Sequence, residues 1–326
     1  MTTSTETVRT EGDGQHTVLV TGASGFIGSH LIEMLADADY RVIAADAVMS
    51  DRADAFAGLP GVEQVRLDLR DRSAVEAVVS RSTHIVHLAA IRPVAAAASP
   101  RAAFEVNVAA TYDLIELAAQ HGIEKLVFGS SHSVYGALKE PREFRFRESD
   151  GPGDGLNMYG ASKIAVEAYL AAHANAGGAD YLSLRLGTIY GPRVNRDNSL
   201  GGIMMDTIDQ VRRGEKATIR WAPDAMHDLV YVVDVARAIV AALESPLTGL
   251  AINVTGEPIS STVLFETLVE LAGGTPDLIA WQPELRRYQM ISHERLLATL
   301  GPVARTTIAE GLTAFIAWHD ESTQRS

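Results

Sequence analysis

The chain has 326 residues, 47% of them hydrophobic and 21% charged, with a net charge of −13; this is core material for one large domain or a main domain with a smaller lobe. The acidic balance argues against a nucleic-acid surface, which needs clustered Lys and Arg, yet a few local arginines would still serve an anionic small molecule. Cysteine is absent, which excludes disulfides, thiolate metal sites and thiol catalysis and fits a reducing, cytoplasmic setting.

Residues 1–15 are rich in Thr, Glu and Gly and hold no apolar stretch long enough for a signal peptide, so a disordered tail is expected. From Thr17 onward, short β-branched apolar runs alternate with amphipathic segments. Thr17–Thr21, Arg41–Ala45, Val62–Leu67, Thr83–Leu88, Lys125–Phe128 and Tyr181–Leu186 read as strands. Gly25–Ala36, Ser73–Ser80, Phe104–His121 and Met158–Ala174 read as helices, the third ending on Gly122 as its cap. Near-continuous apolar strands separated by helices predict a buried parallel sheet, an α/β doubly wound fold with helices on both faces. After Gly191-Pro192 the elements shorten: a helix over Gly202–Arg213, a strand over Ala217–Arg220, a strand and helix across Asp228–Leu243, and helices over Thr262–Leu271 and Thr306–Trp318. No apolar run approaches a membrane span.

Thr21–Gly28 (TGASGFIG) lies between a predicted strand and helix. Gly22, Gly25 and Gly28 permit a tight turn and a close backbone approach to a pyrophosphate at a helix N-terminus. The acidic Asp46 after the second strand suits a ribose diol and repels a 2′-phosphate, which points to NAD over NADP. Asp68-Leu69 follows the third strand, where the carboxylate meets an adenine ring or caps the next helix.

Tyr159 and Lys163 stand one helical turn apart on one face. A free phenol has a pKa near 10, so it becomes a base at neutral pH only with positive charge beside it. The strand ending at Phe128 runs into Gly129–Gly136 at the C-terminal edge of the sheet, where such folds place ligands. Ser131 there can hold a substrate oxygen against Tyr159; otherwise the serines form turns or caps.

Together these residues resemble the extended short-chain dehydrogenase/reductase family of nucleotide-sugar epimerases and dehydratases, UDP-glucose 4-epimerase-like members in particular. The likeness rests on Thr21–Gly28, Asp46, Asp68-Leu69, His87–Ala90, Asn107-Val108, Ser130-Ser131, Val134–Gly136, Tyr159 with Lys163, Tyr190–Arg193, His227–Tyr231 and Asp234–Ala236. It implies NAD as cofactor, held by Gly22, Ser24, Gly25, Phe26, Ile27, Gly28, Asp46, Asp68, Leu69, Leu88, Ala89, Ala90, Arg92, Asn107, Tyr159 and Lys163. It implies Ser131, Tyr159 and Lys163 as the catalytic set, with Asn107 supporting the active-site helix. Arg92 is placed near the cofactor pyrophosphate or else is a solvated loop charge. It further implies a Rossmann domain over 16–192, rejoined by 226–254, and a substrate lobe over 193–225 and 255–326. A homodimer packing Phe104–His121 and Met158–Ala174 into a four-helix bundle follows from the same likeness.

The departures concern substrate. Family dehydratases carry Asp-Glu after the catalytic Ser or Thr; here His132 and Ser133 follow, which disfavours dehydration and decarboxylation. Thr188 stands where an Asn usually contacts the substrate diphosphate, and His227 where an Arg grips it, and imidazole does not reproduce a bidentate Arg. Arg193, Arg196 and Arg220 are substitute cations, and a substrate without a diphosphate is the other reading, as in relatives acting on free sugar acids. The substrate set is therefore Ser131, His132, Ser133, Thr188, Arg193 and His227. His132 contacts substrate or fills the pocket wall, and His87 is read as a buried structural histidine. No metal site is expected. The first reading is an NAD-dependent sugar epimerase, and the alternative a dehydrogenase of a free sugar, sugar acid or other secondary alcohol. A non-catalytic NAD-binding member is argued against by the intact Ser131, Tyr159 and Lys163.

Overall fold

The structure, a computed structural model, describes residues 16–136, 145–153, 155–196, 199–285 and 290–324. The tail expected over 1–15 lies outside the described residues. The run Val18-Leu19-Val20 is fully buried and forms the centre of β1 (Thr17–Thr21). Around it the first half builds α1 (Phe26–Asp37), β2 (Arg41–Asp46), β3 (Val62–Arg66), α2 (Arg72–Val79), β4 (His84–His87), α3 (Pro93–Ala98), α4 (Pro100–Phe104), α5 (Thr111–Gln120), β5 (Lys125–Ser131), α6 (Met158–Asn175) and β6 (Asp180–Leu186). There follow β7 (Thr188–Tyr190), α7 (Ser199–Arg212), β8 (Ala217–Trp221), β9 (Met226–His227), β10 (Leu229–Tyr231), α8 (Val232–Glu244), β11 (Leu250–Val254), β12 (Ile259–Ser260), α9 (Ser261–Leu271), β13 (Ile279–Leu285), α10 (Glu294–Thr299) and α11 (Ile308–Gln324).

The main sheet has seven parallel strands in the order β3-β2-β1-β4-β5-β6-β11. The chain winds one way from β1 through β3, then returns to β4 on the other side of β1. This reversal opens a crevice at the C-terminal ends of β1 and β4, where open α/β sheets hold ligands. One face is covered by α1 and α8, with Leu31, Ile32, Leu35, Val235 and Ile239 buried. The other is covered by α2, α5 and α6 through Val75, Val79, Leu114, Val166 and Leu170. A third cluster, around Met204, Ile208, Ile219, Phe265 and Phe315, joins α7, α9, α11 and β8. Among the described residues, no helix is long and apolar enough to cross a membrane.

Among the differences from the sequence expectation, two have a clear local cause. Phe104–His121 is not one regular helix: residues Glu105–Ala110 form a wide π turn between α4 and α5. There the Thr111 hydroxyl donates to Val106 O at 3.3 Å, five residues back, and the widened turn carries Asn107, consistent with the use of π turns at functional sites. Strand β13 also escapes a sequence reading, because Pro283 interrupts it and its register with β8 shifts between Trp281 and Leu285.

Candidate active site

The crevice is a cavity of about 1040 Å³, running from the β1–α1 turn past the ends of β2, β4 and β5 to β7 and His227. Gly22 turns the chain out of β1 at φ 73°. A Cβ there would lie 2.7 Å from Ala89 N and 2.9 Å from Leu88 C, so this position demands glycine both for its conformation and for the approach of the β4 loop. Gly25 is the N-cap of α1 and offers no capping side chain, leaving the amides of the first turn available to an anion. Gly22→Ala is expected to lower NAD affinity by about tenfold or more, since the clash is with backbone and αL strain for a non-glycine residue adds about 1–3 kcal/mol. Cofactor titration followed by fluorescence checks this.

The neighbouring acids hold the loop. Asp46 Oδ2 accepts from Ser24 N and Ser24 Oγ, each at 3.0 Å, which ties the end of β2 to the phosphate turn while Asp46 lines the cavity. Asp68 and Leu69 line it too, but Asp68 is chelated by Arg70, with contacts of 2.6 to 3.2 Å. Those bonds hold its carboxyl down at about 2. The cap of α2 comes from Asp71, whose Oδ1 accepts from Ala74 N at 3.1 Å, so Asp68 has no capping role. Leu88, Ala89, Ala90 and Arg92 continue the wall beyond β4, with Phe26, Ile27 and Gly28 opposite.

Asn107 lies behind that wall. Its Oδ1 accepts from Ile91 N at 2.7 Å, and its Nδ2 donates to Ile91 O at 2.9 Å and to Ser162 Oγ at 3.4 Å. It thereby fixes the loop after β4 against α6. His87 is buried between Thr21 Oγ1, at 2.7 Å from Nδ1, and Thr111 Oγ1, at 2.9 Å from Nε2. Burial, with the Lys163 charge second, pushes it down to about 3, so it stays neutral and joins β1 to α5.

Ser131 closes β5, and its hydroxyl accepts from Ser133 N at 3.1 Å. Helix α6 starts on Asn157, which caps Gly160 N at 2.8 Å. At Gly160 the helix backbone lies so close to Ser133 O that any Cβ would overlap it. This contact sets the height of Tyr159 over the β5 exit, and both Tyr159 and Ser131 line the cavity. Lys163 sits beneath them, buried, its Nζ donating to Gly129 O at 2.7 Å and lying 5.5 Å from the Tyr159 ring centre. Burial pushes the Tyr159 phenol up to about 12, against which the Arg92 charge pulls it down. Burial lowers Lys163 to about 7, with Glu167 opposing. One turn beyond Lys163, Glu167 accepts from Ser130 Oγ at 2.5 Å and from Arg185, a half-buried brace between α6, β5 and β6 that the sequence motifs did not reveal.

At the far end, His132, Ser133, Thr188 and His227 line the cavity. Thr188 N donates to Asp228 O at 3.1 Å in the β7–β10 ladder, and His132 Nδ1 lies 3.7 Å from the buried Asp228 carboxylate. His227 Nε2 is 2.8 Å from Ser261 Oγ, and its ring meets Trp221 edge-on at 5.2 Å. The substitute cations lie elsewhere. Arg193 is off the cavity wall because Glu33 on α1 holds it with bonds of 2.6 and 3.0 Å. Arg196 pairs with Asp206 and Asp209, and Arg220 lies 3.8 Å from Glu284. Among the described residues, the Lys and Arg side chains that do line the cavity are Arg52, Arg70 and Arg92. Arg52 and Asn195 were not singled out from sequence, since neither belongs to a motif.

The site's dimensions fit a dinucleotide. A helix N-terminus opens on one side, Asp46 follows β2, and Ser131 and Tyr159 stand at the other end of one continuous cavity. Residues 18–255 match the family described as NAD dependent epimerase/dehydratase. UDP-glucose 4-epimerase from Mycolicibacterium smegmatis is 29% identical over 316 residues, covering 94% of this chain and 99% of that protein. The crystal structure of Thermus thermophilus UDP-glucose 4-epimerase in complex with NAD shares 32% identity at a TM-score of 0.78, covering 93% of this chain and 99% of that one. Thermotoga maritima UDP-glucose 4-epimerase with UDP-glucose shares 26% identity at a TM-score of 0.83, covering 94% and 99%. Matched over most of its length and built on the same doubly wound sheet, the chain belongs to the NAD-dependent epimerase/dehydratase family.

Proposed function

We propose that the chain is an NAD-dependent nucleotide-sugar epimerase that works through Ser131, Tyr159 and Lys163. The observation that carries this is the placing of Ser131 and Tyr159 on one wall of the cavity that begins at the phosphate turn, with Lys163 buried beneath. NAD, which the turn at Gly22 and Gly25 and the carboxylate of Asp46 would hold, would supply the hydride acceptor and donor for the sugar carbon. Ser131 holds the reacting oxygen, and Tyr159 removes and restores its proton. Lys163, anchored on Gly129 O and lowered by burial to about 7, favours the ionised phenol while it holds its proton. Arg92 adds a second positive charge on the same group. The absence of an acid pair beside Ser131 supports epimerisation over dehydration.

His227 supports a second reading. Its ring is engaged with Ser261 and Trp221, and Arg193, Arg196 and Arg220 are held by acids or stand near one away from the cavity. A free sugar or sugar acid, oxidised with net formation of NADH, fits such a wall. The two are separated by assaying UDP-sugars and free sugar acids side by side with purified enzyme. Interconversion of UDP-sugar epimers without NADH build-up supports the first; steady NADH production from a free sugar, with no interconversion, overturns it.

We also propose a homodimer formed by a second copy on the face of α4, α5 and α6. Phe104 is 48% exposed and Tyr169 42%, with Tyr112 packed edge-on against Tyr169 at 5.0 Å. These apolar rings would be covered by the same face of the partner. Light scattering is expected to give twice the chain mass, and Tyr169→Glu to give mostly monomer. A wild-type chain that scatters as a monomer at micromolar concentration sinks this arrangement.

A further inference from the structure

The turn after β7 crosses back onto the sheet domain. Arg193 adopts φ 67°, a left-handed conformation unusual for a non-glycine residue, and its guanidinium makes the two bonds to Glu33 described above. On either side, His30 Nε2 donates to Pro192 O at 3.0 Å and Arg52 Nε donates to Arg193 O at 2.7 Å. Arg52 also donates to Asn195 Oδ1. Glu33 and His30 lie on α1, the helix that begins at the phosphate turn. Arg52 lies just past Ser50, whose hydroxyl donates to Ser24 O of that turn at 2.8 Å. The turn after β7 is thus bonded to both elements that frame the pyrophosphate end of the cavity.

We infer that this turn is a clasp over the dinucleotide groove, and that the Arg193–Glu33 pair sets the rate at which NAD leaves. Arg52 and Asn195 come from segments far apart in the chain, and both line the cavity; the bond between them closes one side of the groove. Arg193 and Glu33 stand behind that wall and act through the turn, so they are positioning residues. Backbone strain at Arg193 is held in place by the bidentate pair, which gives the turn one arrangement. The consequence bears on the reaction. An epimerase returns its hydride to the same substrate and gains from a cofactor that stays, whereas a net dehydrogenase must release NADH every cycle. The inference rests on the reading of this cavity as the NAD site.

The test is the release rate of NADH from the binary complex, without substrate. Full-length protein loaded with NADH is chased with excess NAD, and the fluorescence of bound NADH is followed in time. Glu33→Gln, which keeps shape and removes charge, and Arg193→Glu are each expected to speed release by about tenfold, on the scale of one lost charge-assisted bond. The swapped double variant, Glu33→Arg with Arg193→Glu, is expected to restore slow release. Release from Glu33→Gln at the wild-type rate overturns the clasp, and so does a swapped variant as fast as the singles. Because no sugar is present, the outcome stands apart from whether UDP-sugars are interconverted.

Discussion

Tyr159→Phe is expected to reduce turnover by about a thousandfold, within the range typical of a lost general acid–base group, while leaving NAD affinity within a few fold of wild type. The ring keeps its place over Lys163 Nζ, 5.5 Å from the ring centre, and only the hydroxyl is lost. That hydroxyl is the group burial pushes up to about 12, so at neutral pH it begins as an acid and becomes a base only under the positive charge around it. Activity should therefore rise with pH along its acid limb. Removing the Arg92 charge, which pulls the phenol down, should move that limb to higher pH, so Arg92→Gln needs a higher pH than wild type to reach the same rate. Steady-state rates across pH measure both effects. A Tyr159→Phe enzyme that keeps a tenth of the wild-type rate would show that the proton passes elsewhere.

What the sequence reveals about this protein is what the backbone enforces locally. The phosphate turn is legible because Gly22 must adopt a positive φ and admit the β4 loop, a constraint no other residue meets. Tyr159 and Lys163 are legible because helical spacing puts them on one face. Pairings distant in sequence are not. Nothing near Arg193 announces Glu33, 160 positions earlier, so its positive charge reads as a substrate contact until the fold supplies its partner. Asp68 reads from sequence as an adenine contact or a helix cap, and the cap proves to be Asp71, while Arg70 engages Asp68. The bonds of Asn107 to Ile91, a residue of another segment, are likewise not legible in sequence. Nothing in the sequence marks the contact of Gly160 with Ser133 O.

Lys163→Met is expected to lower turnover by about a hundredfold or more, on the scale of general acid–base loss, and at the same time to change how stability depends on pH. Burial holds Lys163 at about 7 in the folded chain, against about 10.4 for an exposed lysine. The folded state thus binds this proton less readily than the unfolded state. Between roughly pH 7 and pH 10 the unfolded chain carries more protons at this position, so the wild type gains stability from it as pH rises. Below pH 7 the cost of keeping a buried ammonium is present in full. A methionine removes the ammonium and also leaves Gly129 O without its 2.7 Å donor, so the sign of the net change at one pH is not the diagnostic. The pH trend is. The melting temperature of Lys163→Met minus that of wild type should fall steadily from pH 6.5 to pH 9.5, measured by circular dichroism in matched buffers. A difference that stays flat over that window would mean that Lys163 keeps its ordinary basicity in the fold, and that the charge held under Tyr159 is constant across the working pH range.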